Sequence, residues 1–268
     1  MHMASAAALT SQPTAAAQRR LFDSHFHIID PRFPLIPNQG YTPPPFPLAD
    51  YLAEAKPLGV VAGAAVSGSF QANDQSYMVD TLSRLGVGWV GVTQIASNYP
   101  DAEIVKLANI GVRAVRFNIL RGRSDNIDEM VALATRCHAI AGWHAEFYVD
   151  TASLAPHVDR LSKLPQIAID HLGLSEEGVP ILLDLVAAGC KVKTTGFGRV
   201  KMDIPKTLER IAQKNRSALV FGTDMPSTRA PRPFTSSDID LIENALGPEL
   251  AQLTFWDNPR ALYRLEPT

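Results

Sequence analysis

The chain has 268 residues, 46% of them hydrophobic and 19% charged, with a formal net charge of -2. That balance supplies a globular core and excludes a strongly basic nucleic-acid surface, a polybasic membrane face and a charge-rich disordered chain. The length suits one or two domains, and a single α/β barrel commonly reaches it.

Residues 1–20, rich in Ala, Ser, Thr and Gln, read as a disordered tail ahead of one domain over 21–268. They contain no basic segment followed by an apolar one, so no secretion signal is read and a cytoplasmic location is expected. No apolar run is long enough to span a bilayer. From Leu21 onward, short apolar runs alternate with amphipathic stretches. Strands are predicted at Leu21–Ser24, Val60–Val66, Gly88–Gln94, Ala114–Ile119, His144–Val149, Gln166–His171, Cys190–Thr195 and Ala218–Gly222. Helical patterns lie between or after them at Leu48–Lys56, Asp74–Leu85, Ala102–Ala108, Ile127–Ala141, Leu154–Leu161, Glu177–Ala188, Ile204–Gln213 and Ser236–Asn244. Strands alternating with helices of this length imply βα units and a parallel sheet. Eight such units fit a closed (β/α)8 TIM barrel, a single-domain α/β fold, better than an open doubly wound sheet. The open sheet is further disfavoured because no glycine-rich phosphate loop follows the first strand.

The segment Pro31–Pro47 is too proline-rich for helix or strand and is expected to be a long loop walling the active site. Cys137 and Cys190 lie far apart, in no C-x-x-C pattern, and read as small buried hydrophobes in a reducing compartment.

The chemistry concentrates at predicted strand ends. Phe22-Asp23-Ser24-His25-Phe26-His27 ends the first strand, and alternation there turns His25 and His27 to one face, toward the barrel mouth. Asp170-His171 ends the sixth strand, and Gly222-Thr223-Asp224 ends the eighth. The closing stretch reads Asp257-Asn258-Pro259-Arg260-Ala261-Leu262-Tyr263. In this order the set resembles the amidohydrolase superfamily, over about Leu21 to Leu265. The metal-bound members of that family add a histidine from strand five and often a lysine or glutamate from strand four. Here His144 lies four residues below Tyr148 on the predicted strand, roughly 13 Å lower at the usual rise. Strand four offers Arg116, which cannot ligate a cation.

These departures make the chain resemble the branch of 2-pyrone-4,6-dicarboxylate lactonases and related sugar lactonases. The resemblance implies metal-free opening of a small anionic lactone. Asp224 would act as general base on water, while His25, His27 and His171 would polarise the lactone carbonyl. Arg116, Arg121 or Arg123, and Arg199 would grip carboxylates, with Tyr41 and Tyr148 beside them. Ser67 and Ser69 end strand two and are weaker candidates for substrate contact.

The alternative is a hydrolase or decarboxylase holding one Zn2+ on His25, His27, His171 and Asp224. A barrel that binds a small molecule without turning it over is a third reading, disfavoured because every catalytic position is filled. The sequence names neither the lactone nor the oligomeric state.

Overall fold

A computed structural model describes residues 19–122 and 126–265 of the chain. The strands are β1 (Leu21–Phe26), β2 (Val60–Val66), β3 (Trp89–Thr93), β4 (Val112–Asn118), β5 (His144–Tyr148), β6 (Ile167–Ile169), β7 (Lys191–Thr194) and β8 (Leu219–Phe221). They form one sheet in chain order, β1 to β8, each parallel to the next. A doubly wound sheet reverses its order at a switch point; this one does not, and the fold is a (β/α)8 barrel.

The helices are α1 (Leu48–Ala55), α2 (Ser76–Leu85), α3 (Asp101–Asn109), α4 (Ile127–Ala141), α5 (Val158–Leu161), α6 (Val179–Ala187), α7 (Ile204–Lys214), α8 (Ser237–Gln252) and α9 (Asn258–Leu262). Asn126 caps α4 by accepting from the Asp128 and Glu129 amides, and Asp203 caps α7 from Lys206. Two predicted helices differ. The first half of Leu154–Leu161 belongs to a 3-10 stretch, Thr151–His157, because Pro156 has no N–H to continue an α-helical ladder, and only the second half is α-helical. The last predicted helix runs beyond Asn244 to Gln252, across a break at Gly247 (φ 72°) that precedes Pro248. Arg19 and Arg20, placed in the tail by sequence, make contacts: Arg19 bonds Asp240 and Glu243, and Arg20 lies over the Trp256 ring. Residues 1–18 lie outside the described residues. No helix among the described residues is long and apolar enough to cross a membrane.

The apolar residues form two shells. Phe22, Ala62, Ala64, Val66, Val90, Val92, Ala114, Ala168, Val220 and Tyr263 fill the barrel, while a larger cluster including Phe26, Val115 and Phe147 packs between strands and helices. Buried on both faces, the strands read as nearly continuous apolar runs. Phe22 faces inward and Phe26 outward, although strict alternation would put residues four apart on one face. A register shift between Asp23 and Phe26 supplies the change and turns His25 and His27 inward.

The seam between β1 and β8 is closed by specific bonds. Thr223 N donates to Asp23 Oδ1 (2.8 Å), Asp224 N to the His25 carbonyl (2.7 Å) and His27 N to the Met225 carbonyl (2.8 Å). Gly222 is required here: a Cβ at that position would lie 2.8 Å from the His25 Cβ. The seam thereby fixes the distance between the first-strand histidines and Asp224.

Candidate active site

The site occupies the mouth of the barrel, in a cavity at the C-terminal strand ends. His27, Arg116, Tyr148, His171, Arg199 and Asp224 line its depth; Tyr41, Arg121 and Arg229 line its rim. His171 (φ 52°) and Asp224 (φ 62°) both sit in the left-handed region, where a non-glycine residue persists only when its surroundings hold it. His171 needs Gly196 beside it, since a Cβ there would meet His171 Nδ1 at 2.4 Å.

Asp224 is fully buried. Its Oδ2 receives Arg199 Nε at 2.7 Å and an Arg199 terminal nitrogen at 2.6 Å. Its Oδ1 has no hydrogen-bond partner and faces His25 Nε2 at 3.9 Å and His27 Nε2 at 3.8 Å. Burial pushes the carboxyl up to about 6, and Arg199 opposes a further rise. The carboxylate is therefore ionised at neutral pH yet basic enough to take a proton.

Burial also keeps the histidines neutral. It drives His25 and His171 well below the usual histidine range and His27 down to about 3, with Arg116 adding to the effect at His27. His27 Nδ1 lies 2.7 Å from the Val66 carbonyl, an acceptor only, so Nδ1 carries the proton. Neutral His27 then presents a lone pair at Nε2 and cannot donate to an oxyanion. In that tautomer Nε2 does not match the carbonyl-polarising role expected of His27 from sequence.

The residues of this site lie within a family match. The amidohydrolase family model aligns with residues 22–265. The chain belongs to the amidohydrolase family. A 2-pyrone-4,6-dicarboxylate hydrolase of Comamonas testosteroni is 27% identical over 94% of this chain and 93% of its own. A 4-sulfomuconolactone hydrolase of Rhizobium radiobacter is 33% identical over 79% and 77%. A D-galactarolactone isomerase of Agrobacterium fabrum is 26% identical over 95% and 94%. Among solved structures, an Agrobacterium tumefaciens protein superposes with TM-score 0.82 at 22% identity, covering 94% of this chain and 99% of its own. An Acinetobacter baumannii protein with citric acid bound superposes at TM-score 0.80 and 17% identity, covering 92% and 100%. At these identities the two structures speak to the fold alone.

In this amidohydrolase, the expected arginines divide into two groups. Arg116 reaches the cavity but donates from Nε and a terminal nitrogen to Asp170 Oδ2 (3.1 and 2.8 Å) and from the other to the Ser67 carbonyl (2.7 Å). Arg199 is held by Asp224. Arg121 stands at the rim with its guanidinium 5.9 Å from the Tyr148 ring centre. Arg123 lies outside the described residues. Tyr41 lines the rim beneath a cation that the sequence reading missed, Arg229, which lies 4.5 Å over its ring. Arg229 is anchored by the Asn38 carbonyl, and Asn38 also donates to the Arg121 carbonyl at 3.2 Å. The proline-rich segment thus forms a wall tied to both sides of the mouth. Ser67 turns away, its hydroxyl bonded to Tyr77 at 2.5 Å, whereas Ser69 lines the cavity.

Beneath the cavity lies a buried polar layer of Lys193, Glu146, Asp170, His144 and Tyr263; the sequence set His144 low on its strand, and the pairing of Lys193 with Glu146 was missed. The Lys193 ammonium bonds Glu146 Oε2. Burial works against the Glu146 carboxylate, and the Lys193 ammonium together with the His144 contact overrides it and holds its pKa below the usual value.

The fit to a metal divides between spacing and charge. A ring nitrogen of His25, one of His171 and an oxygen of Asp224 lie within 4.8 Å of one another, close enough for one divalent ion. The surroundings oppose that ion: Arg199 occupies the other oxygen of Asp224, and Lys193 Nζ lies 3.4 Å from His25 Nδ1. His144 is bonded to Glu146 at 3.0 Å and joins no metal-ligand group among the described residues.

Proposed function

We propose that this amidohydrolase opens the lactone ring of a small carboxylated substrate, with Asp224 as general base and without a metal. The observation that carries the reading is the buried, unpartnered Oδ1 of Asp224 facing the lone pair of His27 across 3.8 Å. One water donating to both acceptors, at about 2.8 Å from each, fits that gap. Its oxygen lone pair is then free to attack the lactone carbonyl carbon as Asp224 takes a proton. His25 and His171 face the same space and stabilise the oxyanion. Collapse of the tetrahedral intermediate breaks the ring C–O bond, and the proton on Asp224 passes to the leaving ring oxygen.

Charge supports an anionic substrate. Arg116 pairs with Asp170, Arg199 with Asp224 and Lys193 with Glu146. Arg121 and Arg229 line the rim and form no ion pair among the described residues, which leaves them as the guanidinium groups to receive a substrate carboxylate. The relatives named for a pyrone dicarboxylate and for sulfomuconolactone act on anionic lactones by their names. Lys193 and the arginines beside the donor set support metal independence by charge.

A single-Zn2+ hydrolase is the second reading, favoured by the spacing of His25, His171 and Asp224. The test is ring opening across a panel of mono- and dicarboxylated lactones by the wild type and by Asp224→Asn. Turnover by the wild type and a loss of about 10²–10⁴-fold in a folded Asp224→Asn protein is expected. Binding without turnover in the wild type, or undiminished turnover in the variant, contradicts the proposal.

A further inference from the structure

Lys193 is a fully buried cation in a barrel strand, and nothing in the reaction above uses it. An ammonium has three donors and no acceptor. Three groups face it: Glu146 Oε2, His25 Nδ1 at 3.4 Å and Asp170 Oδ1 at 3.7 Å. Glu146 is held in place from its other side, where Oε1 receives Tyr263 Oη at 2.9 Å and lies 3.0 Å from His144 Nε2. The lysine is therefore anchored by a carboxylate that cannot turn away.

His25 Nδ1 has two polar neighbours with opposite demands. Asp170 Oδ1, also 3.4 Å away, calls for a proton on Nδ1; Lys193 calls for a lone pair there. Asp170 attracts a ring proton by its charge, but of the two contacts only that of Lys193 has the distance and angles of a hydrogen bond; Asp170 Oδ1 and His25 Nε2 have no geometric hydrogen-bond partner among the described residues. A proton on Nδ1 would point one donor at another across 3.4 Å. We infer that Lys193 is a positioning residue: by donating to His25 Nδ1 it places the His25 proton on Nε2, directed at the reacting carbonyl. His25 and His27 then carry opposite tautomers, one fixed by Lys193 and the other by the Val66 carbonyl. His25 offers a donor to the oxyanion and His27 an acceptor to the water, which rests on the lactone-hydrolysis reading above.

The experiment is ¹⁵N NMR of histidine-labelled full-length protein, with the His25 signals assigned by their loss in His25→Gln. The wild type is expected to carry the proton on Nε2. In Lys193→Met the proton moves to Nδ1, toward Asp170, and kcat falls about 10²–10³-fold, as when one oxyanion donor is removed, while KM changes less. Because Lys193→Met leaves Glu146 buried and unpaired, the double variant Lys193→Met/Glu146→Gln repeats the measurement with both charges removed. A wild type with the proton on Nδ1, or a folded variant whose His25 proton stays on Nε2, overturns the inference. The spectra need no substrate, so this failure is distinct from failure of the lactonase reading, which the Asp224→Asn turnover test decides.

Discussion

Replacing Arg199 by Met removes the cation that holds Asp224, the proposed general base, in its ionised form. Both Arg199 contacts to Asp224 fall on Oδ2, at 2.6 and 2.7 Å, and burial has already pushed this carboxyl up to about 6. Loss of an opposite charge at contact distance raises a carboxyl pKa by about 1–3 units. The sign follows from the base being active only when ionised: activity rises with pH through the Asp224 pKa and is lost below it. In the wild type the acid limb of kcat/KM is expected near pH 6. In Arg199→Met it moves to higher pH, and at pH 7 the ionised fraction falls from about nine-tenths to between about one-half and one-hundredth. The expected loss at pH 7 is thus about 2-fold to about 100-fold, and most of it returns as the pH is raised through the new pKa. The assay is the pH dependence of kcat/KM, corrected for spontaneous lactone hydrolysis, with Arg199→Lys as the charge-retaining control. A limb that stays near 6, or activity that alkaline pH does not restore, refutes the pairing of Arg199 with the base.

Arg121→Met and Arg229→Met are each expected to lower kcat/KM for a carboxylated lactone by about 10-fold to 100-fold, from loss of a charge-assisted bond. The loss falls mainly on KM, and an uncharged lactone of similar size is spared; equal losses on both substrates contradict the rim assignment. Gly196→Ala drives a methyl into His171 Nδ1 at 2.4 Å and strains a residue at φ 63°, so both turnover and thermal stability fall, the latter by about 1 kcal/mol or more. Unchanged melting and turnover count against the close approach. Tyr263→Phe removes the hydroxyl that donates to Glu146, costing about 1–3 kcal/mol in denaturant unfolding because a buried carboxylate loses a partner. A cost near zero contradicts the buried layer.

What the sequence discloses depends on whether a residue's partner is near in the chain or far. The barrel follows from runs of buried strand residues alternating with helices. His25, His27, His171 and Asp224 follow from their places at strand ends, and the structure brings all four to one mouth. The direction of Arg116 was legible, but its first partner was not: Asp170 stands next to His171 and was not recognised as a competitor for the guanidinium. Lys193 and Glu146 left a usable signal, since each is a charge within an apolar strand and buried charges come paired. Matching them requires the order of strands around the barrel, which periodicity alone does not supply. Arg229 reaches the rim through a loop backbone at φ 60°, which residue spacing does not encode. The tautomer of His27 depends on the Val66 carbonyl from a neighbouring strand, so its role as acceptor was invisible from the His-x-His pattern.

The most direct test of metal-free lactone opening by Asp224 is hydrolysis of a carboxylated lactone by chelator-treated protein of measured metal content. Full activity at far below one metal per chain is the expected result. Activity that disappears on chelation and returns with stoichiometric Zn2+ contradicts it and makes His25, His171 and Asp224 a ligand set.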